Sequence, residues 1–152
     1  MIEDAITFAA QAHLGQLDRV GEPYIFHPLR VMLHVKNAGG TEVEIAAAAL
    51  HDVVEDTDTT VEELERLFGP EVASLVDSMS RREGEEYVEY VERCVSGGPS
   101  AIRLKQADLA DNSSAARLER LPADQRVELE AKYQSAFEVI ERVLRSTAGG
   151  TS

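Results

Sequence analysis

Tryptophan is absent from the 152 residues, and four Tyr and four Phe supply all the aromatic side chains. A core drawn from this chain is therefore mainly aliphatic. There is a single cysteine, Cys94, so an internal disulfide is excluded and a reducing compartment suits the chain. No apolar run is long enough to span a bilayer. The opening MIEDAITFAAQAH places acids where a secretory signal needs a basic start. The expected setting is cytoplasmic, with no membrane partner. Basic residues are also scarce: 15 Lys and Arg stand against 28 Asp and Glu, a formal net charge of −13. Phosphate backbones need a basic surface, so nucleic acid is not an expected partner. A small polyanion is not excluded, because a metal and a few local cations can hold phosphates within an acidic protein. Most of the charge reads as solvated helix faces that keep the chain soluble.

Hydrophobic residues make up 43% of the chain, enough for one globular domain with a real core. Their spacing is helical throughout, and the fold class expected is all-α, with no convincing strand, internal repeat or linker. Residues 2–14 form a first helix, and Gly15, Gly21 and Pro23 mark the loop after it. Pro28 favours a first helical position, which puts His27 at a helix entrance, and Asn37 with Gly39-Gly40 ends that helix. Thr41 and Glu44 have the spacing of a capping box for a helix expected to run to about Val54. Further helices are expected from Thr60 to Gly69, from Pro70 through Met79, over REGEEYVEYVERCV up to Gly97-Gly98, and over 100–121 with a break near DNSS. A long amphipathic one covers 122–145. Residues 1–145 make the domain, and 146–152 read as a flexible tail.

The stretch AAAALHDVVEDT, residues 46–57, combines a close-packing run with four ionisable groups. Glu55 follows His51, and Asp56 follows Asp52, each by one helical turn. His51 and Asp52 lie about 100° apart around a helix axis, so one cation above the helix could receive both. Imidazole with carboxylate suits a first-row divalent ion better than an all-oxygen calcium site. A His-Asp pair alone reads equally well as a solvated helix end, so further ligands are needed. His27 offers a second imidazole, in a position that an imidazole caps poorly. In LKQADLADN, Asp108 and Asn112 share a face, with Lys105 three residues before Asp108. A mid-helix Asp between Ala107 and Leu109 is costly unless paired or ligated. Asp111 is offset from that face, so Asp108 is preferred. His13, His34 and Cys94 read as packing or surface residues, and the carboxylates of EGEEYVEYVER as a solvated face.

Together GEPYIFHP, AAALHDVVEDTDTTVEELERLFG and LKQADLADN resemble the hydrolase domain of the RelA/SpoT family, a branch of the HD superfamily, over residues 5–140 or so. Without a synthetase domain, the chain is similar to the stand-alone small alarmone hydrolases. The resemblance implies an HD-domain helical bundle with His27, His51, Asp52 and Asp108 as metal ligands, usually for Mn2+. It implies that Glu55 and Asp56 are catalytic and that Asn112 and, more loosely, Tyr133 contact the nucleotide; Lys105 is grouped with these contacts. The implied substrate is the guanosine polyphosphate ppGpp or pppGpp, cleaved at the 3′ position to GDP or GTP and pyrophosphate.

The chain departs from the family in two places. A basic pair usual after Gln16 is here Asp18-Arg19, leaving Arg19 as the expected phosphate contact. Where the family often has NMRT, the chain has NSSA, so a Thr becomes Ala115. Arg81 and Arg82 read as solvated arginines. These departures keep two other readings open: hydrolysis of another phosphorylated nucleotide, such as the 2′-phosphate of NADPH, and a non-catalytic nucleotide-binding module. The pattern sets no oligomeric state.

Overall fold

Glycines, prolines and hydroxyl caps set most of the boundaries. The computed structural model describes residues 1–149. In chain order the helices are α1 (Ile2–Ala12), α2 (Phe26–Asn37), α3 (Glu42–Leu50), α4 (Val53–Asp56), α5 (Val61–Phe68), α6 (Pro70–Met79), α7 (Tyr87–Val95), α8 (Pro99–Asn112), α9 (Ala115–Leu118) and α10 (Ala123–Gly149). Among the described residues, β pairing is confined to one isolated bridge between Leu17 and Pro23. No helix among them is long and apolar enough to cross a membrane.

The expected capping box is present: Thr41 Oγ1 accepts from Glu44 N at 3.2 Å, and Thr41 N donates to Glu44 Oε2 at 2.9 Å. Glu44 is also buried, because Ser100 and Arg103 of α8 donate to its carboxylate at 2.6 and 3.1 Å. The cap thus ties α3 to α8. The turn before it needs glycine twice. Gly39 has φ 81°, a region hostile to a side chain. A Cβ on Gly40 would lie 2.5 Å from Val35 Cγ1.

Helix α3 is the centre of the bundle, packed against α1, α2, α6 and α8. Ala46, Ala47, Ala48 and Ala49 are completely buried. Their small side chains let four neighbours approach one axis. Around them the core is aliphatic, as the shortage of aromatics implies, with Leu50, Leu64, Leu104, Leu109 and six valines fully enclosed. Each such side chain stabilises the fold by roughly 1.5–3 kcal/mol. Helix α10 crosses α7 and α8 and closes one side.

Three expectations need correction, and His13 takes the packing role, one of the two expected of it. The α3 helix stops at Leu50 rather than Val54. The carbonyl of Ala48, which a continuing helix would give to the amide of Asp52, instead accepts from the His51 amide at 3.4 Å and from His51 Nδ1 at 2.7 Å. A one-turn α4 then restarts at Val53. Residues 146–149 continue α10 instead of fraying, while 150–152 lie outside the described residues. The stretch before Tyr87 is not helical, and Glu85 is not solvated: Arg93 donates to both its oxygens, at 2.7 and 3.0 Å. His13 is enclosed, at 3% exposure.

Candidate metal centre and active site

Three elements converge on one point. His27 comes from the first turn of α2, His51 and Asp52 from the break after α3, and Asp108 from the middle of α8. The donor atoms of His27, His51 and Asp108 all lie within 4.8 Å of one another. Asp52 Oδ2 joins them, 3.1 Å from His51 Nε2 and 3.6 Å from His27 Nε2. All four residues are buried. The break after Leu50 is what turns both His51 and Asp52 inward.

The cluster fits a divalent metal ion on its hydrogen bonding. His51 Nδ1 donates to the Ala48 carbonyl, which fixes the ring and leaves Nε2 facing the carboxylates. That Nε2 is buried and makes no hydrogen bond of acceptable geometry, although Asp108 Oδ1 is only 3.4 Å away. A buried, unsatisfied imidazole nitrogen among acidic oxygens is the donor set of a cation site. Electrostatics agree. Burial is the largest single influence on His51 and opposes its charge, but the carboxylates of Asp52 and Asp108 together outweigh it and raise the imidazole pKa well above its ordinary value. For Asp52, burial is likewise outweighed by His51 and His27 together, and its pKa falls to about 2. A metal ion among these groups would meet the same carboxylate charge.

The surroundings hold the donors in place. Tyr24 Oη donates to Asp52 Oδ2 at 2.6 Å. Lys105 Nζ donates to Asp108 Oδ2 at 2.9 Å, leaving Oδ1 for the cluster, where Asn112 Nδ2 also donates at 3.0 Å. Burial disfavours the charges of both Lys105 and Asp108, but their mutual attraction, joined for Asp108 by the hydrogen bonds of His27 and His51 and for Lys105 by Tyr90 and Tyr87, outweighs it, so the ammonium pKa rises and the carboxyl pKa falls. The imidazole of His27 is bonded on its far side, with Nδ1 donating to Asp111 Oδ2 at 2.6 Å.

Of the two acids of α4, Glu55 lines a cavity of about 150 Å³ together with Tyr24, Asp52, Arg81, Asp108 and Lys132, among others. Glu55 Oε1 accepts from the backbone N–H of Arg81 at 2.7 Å. Its pKa is raised, first by the protein crowding out solvent and then by the charges of Asp52 and Asp56. Asp56 is raised by the same two causes. Asp56 Oδ2 accepts from Gln16 Nε2 at 3.1 Å. Because a carboxylate only accepts, the Gln16 oxygen must face His13, whose Nδ1 lies 2.8 Å away and so donates.

A second cavity of about 410 Å³ adjoins the first, sharing Tyr24, Asn112 and Tyr133 in its wall. Arg19 lines only this larger cavity, and Asn112 and Tyr133 stand between the two. Lys105, grouped with the substrate contacts, is 3% exposed and engaged by Asp108 and Tyr90. Asp18 lines the larger cavity beside Arg19. Its Oδ1 accepts from Val20 N and Glu22 N at 3.0 and 2.9 Å, which shapes its own loop. Arg81 is exposed, as expected, and also lines the smaller cavity, whereas Arg82 forms a surface ion pair with Asp77. Sequence reasoning missed Tyr24, Lys132, Arg117 and Asp111. The spacing of Asp111, three residues after Asp108, was a usable signal, since i,i+3 positions are neighbours.

A family model described as HD domain matches residues 5–121. The chain belongs to the HD domain family. This HD domain is 39% identical over 119 residues to the guanosine-3′,5′-bis(diphosphate) 3′-pyrophosphohydrolase of Aquifex aeolicus, covering 73% of this chain and 17% of that protein. It is 42% identical over 113 residues to the protein of that name from Danio rerio, covering 69% of this chain and 63% of the relative. The HD domain therefore spans a minor part of the first and somewhat under two thirds of the second. A solved structure of a metazoan orthologue of SpoT that hydrolyses ppGpp superposes with a TM-score of 0.80 at 26% identity, covering 91% of this chain and 84% of that one.

Proposed function

We propose that this HD domain is a metal-dependent phosphohydrolase that removes the 3′-pyrophosphate of guanosine 3′,5′-bis(diphosphate). Its products would be GDP, or GTP from the pentaphosphate, and pyrophosphate. The observation carrying this reading is the convergence of His27, His51, Asp52 and Asp108 beside the acids Glu55 and Asp56. The similarity to two 3′-pyrophosphohydrolases and to a ppGpp-hydrolysing structure supplies the substrate.

The two Nε2 atoms and the two aspartates would hold the ion, for which the family resemblance favours Mn2+. Once bound, such an ion supplies Lewis acidity toward a phosphoryl oxygen and acidifies water. Glu55, with its raised pKa, is suited to take a proton from the attacking water. Asp56, oriented by Gln16, stands beside it as the second acid. In the step, the water oxygen bonds to the phosphorus attached to O3′, the P–O3′ bond breaks, and O3′ takes up a proton. Arg81 and Lys132 bring positive charge to the same cavity and suit the departing pyrophosphate. The adjoining 410 Å³ cavity, with Arg19, Asn112 and Tyr133 in its wall, has room for the nucleoside. The proposed setting is the cytoplasm, which a buried free Cys94 suits.

The test is pyrophosphate release from ppGpp by the purified protein with manganese, beside chelator-treated protein and a Glu55→Ala, Asp56→Ala double variant. Metal-dependent release that the variant loses is expected. Metal binding without release from ppGpp would end the alarmone reading, and the same assay on other phosphorylated nucleotides, NADPH included, would then identify the substrate class.

A further inference from the structure

Asp111 is buried, at 3% exposure, and both oxygens of its carboxylate are engaged. Oδ2 accepts from His27 Nδ1 at 2.6 Å and from Arg117 Nη1 at 2.9 Å, and Oδ1 accepts from Arg30 Nε at 2.7 Å. The remaining nitrogen of His27, Nε2, is the one that faces Asp108 and Asp52, at 3.0 and 3.6 Å. A hydrogen bond from Nδ1 to a carboxylate therefore leaves Nε2 as the donor atom toward the cluster. His51 reaches the same state by another route, its Nδ1 donating to the neutral Ala48 carbonyl. The two imidazoles are thus oriented unequally, one by a carbonyl dipole and one by a full negative charge.

Resting on the reading of this cluster as a metal centre, we propose that Asp111 is a positioning residue for that centre. It fixes the tautomer and orientation of His27 and makes the His27 imidazole the more basic donor. A carboxylate, histidine and metal in line is a recurrent arrangement, and loss of such an outer partner typically weakens metal affinity about 10–100-fold. The arginines have a separate task. Arg30 binds the other carboxylate oxygen, Oδ1, from a position 37% exposed, and is the partner of Asp111 that does not touch His27. Arg117 Nη1 lies 3.2 Å from His27 Nδ1, but the hydrogen on that nitrogen is already given to Asp111. Arg117 also donates to the Asn112 side-chain oxygen at 2.9 Å, which puts Asp111 at the joint between the metal cluster and the larger cavity.

The experiment measures the dissociation constant for Mn2+ alone, by competition with a chelating indicator, in wild type, Asp111→Asn and Arg30→Ala. Thermal melts of the metal-free proteins accompany it. Asp111→Asn should lose about 10–100-fold in affinity, and Arg30→Ala should stay within about threefold of wild type. Equal affinity in wild type and Asp111→Asn would overturn the proposal while leaving the metal centre standing. An equal loss in Arg30→Ala would also overturn it, by showing that Asp111 matters only as an anchor for its arginines. A wild type that binds no metal would remove the centre and the proposal together. If Asp111→Asn does not fold, nitrogen NMR of the wild type loaded with zinc decides: His27 must carry its proton on Nδ1, and a bare Nδ1 would refute the assignment.

Discussion

Lys105→Met isolates the charge of Lys105 from its bulk. The ammonium of Lys105 lies over the rings of Tyr90 and Tyr87, and methionine keeps much of the length and bulk of the side chain without the charge. What disappears is the ammonium, with its 2.9 Å bond to Asp108 Oδ2, its 3.2 Å bond to Tyr90 Oη and its place 4.6 Å from the Tyr90 ring centroid. Breaking a buried ion pair by removing one partner costs about 3–5 kcal/mol, mostly as uncompensated charge. His27 and His51, whose pKa values are raised by these same carboxylates, offset part of that charge. The lower end is therefore expected, about 3 kcal/mol. For a domain of this size it corresponds to a fall in Tm of about 6–12 °C. Far-UV circular dichroism melts in chelator should show that fall. Melts with saturating manganese should show a smaller gap between variant and wild type, because Asp108 then faces a second cation. A fall below about 2 °C in chelator would mean that Lys105 does not balance Asp108. A gap that metal leaves unchanged, while stabilising both proteins, would remove Asp108 from the ligand set.

Other predictions concern the remaining groups. Glu55→Gln should lower turnover of ppGpp by about 10²–10⁴-fold while leaving manganese affinity within a few-fold, and a parallel collapse of affinity would make Glu55 a ligand instead. Burial pushes the Cys94 thiol up to about 11. It should resist thiol reagents in the native protein at mildly alkaline pH and react once the chain is unfolded, and fast native labelling would contradict that. Glu85, held at about 2 by Arg93 against an ordinary 4.5, contributes stability that is present above 4.5 and lost as pH falls toward 2. Glu85→Gln should flatten the stability profile in that window, as followed by denaturant unfolding at a series of pH values. Gly40→Ala should destabilise by about 1–3 kcal/mol, because its Cβ would meet Val35 Cγ1 at 2.5 Å and Val35 O at 2.8 Å.

Helix ends were legible where they are decided locally. Thr41 with Glu44, Thr60, Pro70 and the glycine pairs act within a few residues of themselves, so their chemistry can be read along the chain. The break after Leu50 was not legible, because it depends on the His51 ring returning to the Ala48 carbonyl. The placing of Asp111 off the functional face rested on treating α8 as having one narrow inward strip. In the fold α8 is buried over a wide arc, with Leu104, Lys105, Asp108, Leu109 and Asp111 all enclosed. Among the proposed ligands, Asp108 was legible as an expensive group in an apolar setting, while the full set of four came from the family resemblance. The bonds from the loop amides of Val20 and Glu22 to Asp18 were not legible, because no residue pattern displays them.

The interruption between α3 and α4 divides the HD stretch into two units with different freedoms. His51 and Asp52 are built into the rigid interior, while Glu55 and Asp56 ride on a separate single turn at the surface. Replacing the acids would disturb little of the bundle; replacing the histidine would disturb its centre. On the proposed function, loss of the two acids would end turnover while the cluster of His27, His51, Asp52 and Asp108 and the fold remain. Such a domain would be one short segment away from becoming a receptor.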